Sequence, residues 1–340
     1  MKSPKRKIVL PVIGCLAIIA GTAWFSLFAP LSGADSAQYI YIDNDDTVDS
    51  VYAKVETAAA DNGICTFKML ARCCNYGENI HPGRYEVKPG EGTFKVFRAI
   101  KNGMQSPLML TIQSVYTPEI MAGRLSKKLM ADSTEIASAL KNADVCRKFG
   151  HDTATIMCMF VPDTYEVFWN VTVDDFLKRM DKEYGKFWND SRKGKAAALK
   201  LSQEEVSTLA SIVDAETSND AEKPMIAGLY YNRLNSGMPL QADPTVKFAT
   251  KDFAARRIYH NMLTTDSPYN TYKYEGLPPG PIRNPTVAGI DAVLNMVHHN
   301  YLYMCAKEDF SGTHRFAATY SEHKDNAARY SAALNARGIK

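Results

Sequence analysis

The sequence has no pronounced bias in its composition, and that lack excludes several classes of protein. Charged residues make up 23% of the 340 residues and aromatic residues 10%, and no internal repeat or low-complexity tract occurs. These values exclude a mainly disordered chain, a collagen-like fibre and a polytopic membrane protein. At about 150 residues per domain, the length suffices for roughly two domains with a buried core.

Charge is absent from one long segment, since no Asp, Glu, Lys or Arg lies between Ile8 and Ala34. About 20 consecutive apolar residues span a bilayer as a helix, so residues 8–29 are predicted to be a transmembrane helix. Four basic residues lie within residues 1–7, and the positive-inside rule predicts that this stub stays in the cytoplasm. The sequence therefore predicts a single-pass membrane protein whose remaining chain lies outside the cytoplasm.

Two other interpretations of this apolar segment are possible. A cleaved signal peptide has a shorter apolar region of about 7–15 residues, followed by a small-residue cleavage site. Residues 12–15 resemble a bacterial lipobox, but the apolar sequence continues well past Cys15, where a lipoprotein would become polar. The length of the segment therefore favours an uncleaved anchor.

The charge balance beyond the anchor gives no support for binding to nucleic acid. Without the four basic residues of the stub, 36 basic and 37 acidic residues remain. The net charge of +3 thus reflects membrane orientation, and no basic stripe or base-stacking motif is present. We expect no nucleic-acid partner.

The cysteine pattern shows neither a C-x-x-C motif nor the short Cys or His spacing of a zinc site. An even number of cysteines outside the cytoplasm permits disulfides, but free thiols fit the sequence equally well. We expect no metal and no cofactor. The six cysteines beyond the anchor are Cys65, Cys73, Cys74, Cys146, Cys158 and Cys305.

The exported chain is predicted to have an α+β fold, with a small α+β module at residues 38–113 and a larger, mainly helical α+β domain at 114–340. Strands are predicted from β-branched and aromatic runs, and helices from apolar spacing. Residues 189–195 are polar and basic and are predicted to be a solvent-exposed turn. The predicted strands are 38–43, 83–87 and 108–112; the predicted helices are 47–60, 65–74, 93–102, 119–129, 133–141 and 173–188.

A further helix, which begins after Ser202, carries a candidate catalytic acid. Ser202 and Glu205 have the spacing of a capping box, and apolar residues from Val206 to Val213 follow at helical intervals. Glu216 then lies toward the inward side, near the C-terminal end of the helix. Desolvation and the helix dipole both disfavour its charged form and should raise its pKa, as a general acid requires. Alternatively, Glu216 forms a structural ion pair with a nearby Arg or Lys.

Polar residues in the following segments could surround this carboxyl. Asn232 lies on the apolar face of the next predicted helix, where a buried amide must be hydrogen-bonded. It could serve the core, or it could orient a carboxyl or a sugar. The loops at 240–245, 267–272 and 276–281 combine Pro or Gly with tyrosines and amides, which suggests binding more than a core segment would.

Several long motifs in one order resemble the endolytic murein transglycosylases, also called the YceG-like family. The resemblance covers nearly the whole chain, and it implies that residues 38–113 form a LysM-like module and residues 114–340 a lytic transglycosylase domain. Its segments are Ala210–Thr217, Tyr231–Leu234, Gly237–Val246, Ser267–Tyr272, Gly276–Pro281, Gly312–Phe316 and Glu322–His323.

The catalytic glutamate of this family maps onto Glu216. Asp214, Ala215 and Ala242 stand where Glu, Lys and Thr are common in the family, so the setting of Glu216 differs slightly. The resemblance implies that substrate-binding residues surround Glu216. They are Asn232, Gln241, Asp243, Tyr269, Asn270 and Tyr272.

The resemblance implies cleavage of the MurNAc–GlcNAc β-1,4 bond within peptidoglycan strands, with 1,6-anhydroMurNAc ends as products. Glu216 would protonate the leaving oxygen and then take the proton of the MurNAc 6-hydroxyl. The protein would sit in the bacterial inner (cytoplasmic) membrane with its catalytic domain on the periplasmic or extracytoplasmic side. There it would terminate or trim nascent strands, with peptidoglycan synthases as candidate partners.

Two alternative functions remain open. The first is a hydrolytic muramidase in which Asp243 or Asp214 activates water. The second is a non-catalytic cell-wall-binding scaffold that recruits synthases.

Overall fold

The computed structural model describes residues 5–255 and 257–338. The chain divides into two compact units. Unit 1 extends to Leu110 and includes residues 128–131 and 166–171; unit 2 contains the rest. About half of the described residues are helical, and the sheets are small and two-stranded, so the predicted combination of helices and strands is confirmed at this coarse level.

Unit 1 combines helices with a two-stranded sheet, and most of its elements lie where the sequence predicts them. The helix predicted at 47–60 ends earlier, and a separate helix begins at Asp61. The elements are α1 (Lys5–Phe28), β1 (Gln38–Ile42), α2 (Val48–Glu56), α3 (Asp61–Cys73), β2 (Gly83–Val87), α4 (Thr93–Lys101) and the start of β3 (Leu108–Thr111).

The core of unit 1 follows from the alternation of its strands. β1 and β2 are antiparallel, and Ile40 lies opposite Tyr85 in the register. Both side chains are buried. Because successive residues of a strand point to opposite faces, every second residue of each strand lies on the core side. The rings of Phe67 and Phe97, from α3 and α4, pack edge to face with centroids 5.4 Å apart within the same core.

Among the helices of the described residues, none combines the length and the apolar character needed to cross a bilayer. The transmembrane assignment of residues 8–29 is therefore not confirmed and stays a prediction. Residues 1–4 of the predicted stub lie outside the described residues. The described residues of unit 1 do not show a LysM-like module either, so that assignment also remains a prediction.

Unit 2 is mainly helical, with one antiparallel hairpin near its end. The strand β4 (Thr164–Val167) leads from it into unit 1. Its other elements are α5 (Pro118–Leu125), α6 (Ser133–Lys141), α7 (Ala143–Lys148), α8 (Val173–Phe187), α9 (Asp190–Ala198), α10 (Gln203–Glu216), α11 (Lys223–Asn235), α12 (Asp243–Thr250), α13 (His260–Leu263), α14 (Val287–Leu294), β5 (Tyr303–Ala306), β6 (His314–Ala317) and α15 (Tyr320–Ala336).

The helix α10 is the centre of unit 2. The predicted capping box is present, because the Ser202 hydroxyl accepts from the Glu205 amide and the Glu205 carboxylate accepts from the Ser202 amide. Every residue from Val206 to Val213 is buried, and the helix packs against α11, α12 and α14. The Ser211 hydroxyl accepts from the Ile282 amide at 3.0 Å. This packing holds the last residue of α10, Glu216, in a fixed place.

The prediction of a turn at 189–195 is wrong, because residues 190–195 belong to α9, but the predicted exposure is confirmed for all of these residues except the half-buried Arg192. The Asn189 side chain caps the helix by accepting from the Arg192 amide at 3.0 Å. The Arg192 guanidinium then donates to both carboxylate oxygens of Asp291 on α14, at 3.1 and 3.2 Å. The polar composition resembled a loop, but a cap and a tertiary ion pair stabilise a helix.

Candidate active site

A pocket of about 220 Å³ lies in unit 2 at the C-terminal end of α10. Its wall combines ionisable side chains with an apolar rim, and it draws on α10, α11, the turn before α12 and the β5–β6 hairpin. The lining residues are Glu216, Leu229, Tyr230, Arg233, Leu240, Gln241, Asp243, Tyr272, Met304, Cys305, Ala306 and His314.

Glu216 is the half-buried acid of this pocket. Its Oε1 accepts a hydrogen bond of 2.6 Å from the hydroxyl of Tyr230, so its partner is a tyrosine and not the Arg or Lys of the ion-pair alternative. Burial raises the pKa of Glu216, and the Tyr230 hydrogen bond opposes part of that rise. Burial and the Glu216 carboxylate in turn raise the pKa of Tyr230, which stays a donor. The predicted direction of the Glu216 pKa is confirmed.

A second carboxylate belongs to the same pocket. Asp243 is the first residue of α12, and its Oδ1 accepts from the Tyr272 hydroxyl at 2.6 Å. The turn before it is held rigidly, since the Ala242 amide donates to the Thr271 hydroxyl at 3.0 Å. Gln241 adopts the left-handed conformation, with φ of 50°, and its amide donates to the Thr271 carbonyl. The loops at 240–245 and 267–272 therefore form one wall.

Arg233 is a buried cation in this wall. Its Nε donates to the Leu302 carbonyl at 2.6 Å and its Nη1 to the Leu240 carbonyl at 2.7 Å. These bonds join α11 to the turn before α12 and to the segment before β5. Burial lowers the pKa of Arg233 from its very high usual value, but guanidinium remains charged in proteins.

His314, the first residue of β6, brings an imidazole to the pocket. The Glu222 carboxylate accepts from its backbone amide at 2.7 Å and contacts its Nδ1 at 2.9 Å. Glu222 immediately precedes α11 and is only 8% exposed. This pair joins the hairpin to the start of α11, the helix that carries Tyr230.

Asp214 does not line the pocket. The muramidase alternative had named it, beside Asp243, as a residue that could activate water. Its carboxylate pairs with the Lys223 ammonium at 2.7 Å, and both side chains are nearly inaccessible, with 2% and 6% exposed. It also accepts from the amide and hydroxyl of Thr286 at 2.6 and 2.9 Å. With these partners Asp214 joins α10, α11 and the start of α14, and it is not placed to activate water in this pocket.

Three of the predicted binding residues lie outside the pocket lining. The Asn232 amide donates to the His299 carbonyl at 2.7 Å and to the Tyr301 carbonyl. Asn270 is fully buried, and its amide donates to the carbonyls of Leu263, the last residue of α13, and Thr265. The ring of Tyr269 packs on Phe248, with centroids 4.6 Å apart. The pocket thus brings together Glu216, Gln241, Asp243 and Tyr272 and leaves these three in scaffold positions.

Sequence reasoning missed four polar residues of the site: Tyr230, Arg233, Glu222 and His314. A buried tyrosine hydroxyl needs a partner, and that was an available signal for Tyr230. His314 belongs to the motif 312–316, to which no role was assigned. In the described ranges, no group of three or more His, Cys, Asp or Glu side chains could hold a metal ion.

The arrangement suits proton transfer to a polar substrate. A carboxyl with a raised pKa can remain protonated near neutral pH and act as a general acid. Asp243, Gln241 and Tyr272 offer hydrogen-bonding atoms beside it. The seven cysteines are free thiols, and Cys305 belongs to the pocket rim.

Comparison with known proteins gives a consistent result. The model of the YceG-like family matches residues 40–329. An endolytic murein transglycosylase of Bacillus subtilis is 36% identical over 166 residues, which cover 49% of this chain and 45% of that protein. One of Streptococcus pneumoniae is 24% identical over 366 aligned positions, covering 96% of this chain and 65% of that protein. The chain spans less than two thirds of the length of either relative.

A solved structure is similar in fold. A yceG-like protein from Listeria monocytogenes superimposes with a TM-score of 0.57 at 24% sequence identity. The match covers 86% of this chain and 99% of the Listeria chain.

Proposed function

This chain belongs to the YceG-like family, and from that premise we propose that it is an endolytic lytic transglycosylase of peptidoglycan. It cleaves the β-1,4 bond between MurNAc and GlcNAc within glycan strands and leaves 1,6-anhydroMurNAc ends. The observation that carries the proposal is the Glu216 carboxyl, whose pKa is raised by burial in a pocket with polar walls. The names of the two relatives support the same class of reaction.

The reaction begins with proton transfer from Glu216 to the glycosidic oxygen. As the bond from C1 to that oxygen breaks, GlcNAc leaves with a 4-hydroxyl, and positive charge develops at C1. The C6 hydroxyl oxygen of MurNAc then bonds to C1, and its proton must be removed. The carboxylate left on Glu216 can accept that proton, so no second carboxylate is needed. Gln241, Asp243 and Tyr272 bind the sugar around this centre.

A hydrolytic muramidase is the second candidate, because Asp243 shares the pocket with Glu216 and could activate water. Digestion of purified glycan strands followed by mass spectrometry separates the two reactions. Anhydro ends support the transglycosylase, and reducing MurNAc ends support the muramidase. Binding of glycan without any cleavage would instead favour the scaffold alternative.

The pH profile gives an independent check on Glu216. Tyr230→Phe removes a donor that favours the Glu216 carboxylate, so the pKa of Glu216 should rise further. Because the acid must be protonated, the basic limb of the kcat/KM profile should move to higher pH. Tyr231→Phe is the matched control, since that hydroxyl donates to the Leu199 carbonyl outside the pocket lining. A basic limb that stayed in place or moved to lower pH in Tyr230→Phe would contradict this role.

The membrane anchor is part of the same proposal. Residues 8–29 hold the enzyme in the bacterial cytoplasmic membrane, and the LysM-like residues 38–113 bind glycan on the outer side. The uncharged segment and the basic stub support this placement. Such an enzyme would terminate or trim strands near the synthases that make them. Fractionation of cells that produce the full chain or a chain lacking residues 8–29 tests it, and membrane association of both would count against the anchor.

A further inference from the structure

Arg233 has hydrogen-bonding capacity that the protein does not use. A guanidinium carries five N–H donors. Its Nε donates to the Leu302 carbonyl at 2.6 Å, and its Nη1 donates to the carbonyls of Pro239 and Leu240 at 3.2 and 2.7 Å. Within residues 5–255 and 257–338 Nη2 has no acceptor, and it is not one of the fully buried polar atoms that lack a partner. Because Arg233 lines the pocket and is only 8% exposed, the two N–H groups of Nη2 are available to a ligand in that pocket.

The charge of this guanidinium forms no ion pair in the described part of the chain. Its acceptors are neutral carbonyls, and the ring of Tyr303 lies 5.5 Å from Cζ. Glu216 lines the same pocket, but burial raises its pKa, and the protonated carboxyl carries no compensating charge. A second positive charge beside Arg233 would be repelled strongly, because charges interact more strongly away from water. The subsite around Nη2 therefore disfavours cationic ligand groups.

A neutral acceptor also fits this subsite better than an anion does. The Asp243 carboxylate lines the same pocket, held by the Tyr272 hydroxyl at 2.6 Å, and it would repel an anionic ligand group. The other neighbours of Arg233 are apolar. Leu229 lies one turn before it on α11 and Leu240 accepts its Nη1, and both side chains line the pocket. A ligand group with one uncharged acceptor oxygen and one methyl group matches this combination.

The acetamido group at C2 of both peptidoglycan sugars has this composition. Its carbonyl oxygen accepts hydrogen bonds, its methyl group is apolar, and the whole group is uncharged. C2 is bonded to C1, the atom from which the bond to the leaving oxygen breaks in the proposed reaction. Removal of the acetyl group leaves a primary amine, which near neutral pH is mostly an ammonium, like the α-amino group of a peptide. An ammonium only donates hydrogen bonds.

We propose that Nη2 of Arg233 donates to the carbonyl oxygen of a C2 acetamido group next to the bond that is cleaved, and that this subsite rejects glycan whose C2 nitrogen is a free amine. The inference rests on the proposed lytic transglycosylase function and names its substrate as N-acetylated strands. In a deacetylated strand the guanidinium would lose its acceptor and would meet a second positive charge. Arg233 is thus a specificity-determining residue, and Glu216 remains the acid.

The first test uses the unaltered full chain in detergent. Three preparations of purified glycan strands are compared: fully acetylated, deacetylated only at GlcNAc and deacetylated only at MurNAc. We expect kcat/KM to fall at least about 10²-fold for one of the deacetylated strands, because a site built to hydrogen-bond a substrate group rejects the analogue that lacks it. The strand affected identifies the sugar in the subsite. Chemical re-acetylation of that strand should restore its cleavage.

The second test is Arg233→Lys, which keeps a positive charge but lacks Nη2. We expect kcat/KM on acetylated strands to fall about tenfold, the usual effect of losing a hydrogen bond from a charged donor. Cleavage of the rejected strand, which never made that bond, should not fall, so the preference for acetylated glycan should shrink about tenfold. Arg283→Lys is the matched control and should keep the full preference, since this half-buried arginine donates to the Ser114 hydroxyl outside the pocket lining.

The outcomes distinguish this inference from the proposed function. Equal kcat/KM on all three preparations would overturn the acetamido subsite, while anhydro ends upheld the transglycosylase. An equal loss on acetylated and deacetylated strands in a folded Arg233→Lys, as judged by thermal melting, would show that Arg233 serves the fold alone and would also overturn it. If Arg233→Lys does not fold, the three preparations decide. If the unaltered protein did not cleave fully acetylated strands, both the proposed function and this inference would fall.

Discussion

Replacing Glu216 with Gln is expected to lower kcat for glycan cleavage by about 10³-fold, in the upper part of the range for general acid catalysis. The amide is nearly the same size as the carboxyl and can still accept from the Tyr230 hydroxyl, but it cannot protonate the leaving oxygen. The fold should therefore remain and KM should change little. Rates of release of glycan fragments, measured by chromatography on purified strands, give the result.

Glu205→Gln is the matched control on the same helix. Glu205 closes the capping box at the other end of α10, and Gln also serves at that position. This variant should keep full activity and nearly full stability. Cleavage at the unaltered rate by Glu216→Gln would show that another group is the acid.

Replacing Lys223 with Met is expected to lower the free energy of unfolding by about 3–5 kcal/mol, the usual result when one member of a buried ion pair is removed. Lys223 donates to Asp214 at 2.7 Å, and both side chains are almost inaccessible to solvent. Without the ammonium, the Asp214 carboxylate stays buried and keeps the hydrogen bonds from Thr286 but no counter-charge among the described residues. Urea unfolding followed by circular dichroism measures the loss.

Two further variants test whether the loss of stability comes from the unpaired, buried charge of Asp214. Lys273→Met removes an exposed ion pair with Asp266 and should cost no more than about 1 kcal/mol. Adding Asp214→Asn to Lys223→Met should recover part of the loss, because the unpaired charge disappears with it. Equal losses for Lys223→Met and Lys273→Met would refute the importance of burial for this pair.

The features that the sequence predicted best are those that depend on residues close to one another in the chain. The α10 helix, its capping box and the inward position of Glu216 all follow from spacing within one segment. The polar, basic segment 189–195 was wrongly assigned to a turn because its stabilising partner, Asp291, lies on a helix far along the chain. Local composition carries no information about such a partner.

Which residues come together around the pocket depends on tertiary structure and could not be predicted from the sequence. Asn232 was correctly recognised as an amide in need of partners; it is half-buried, and the structure supplies them from the carbonyls of His299 and Tyr301. Which of two possible uses the amide serves could not be derived without knowing what lies against α11. The same is true of His314, because its hydrogen-bonding partner Glu222 lies far away along the chain.

The attachment of the β5–β6 hairpin sets a lower limit on the length of any truncated enzyme. The rim residues Met304, Cys305 and Ala306 come from β5, and His314 opens β6. A fragment that stopped after α14 would retain Glu216 and Tyr230 but expose them on an open surface. Glu222 would lose its contacts with His314, and Arg233 would lose its bond to the Leu302 carbonyl. A minimal catalytic fragment must therefore extend through residue 317, and limited proteolysis within the hairpin should inactivate the enzyme without removing its acid.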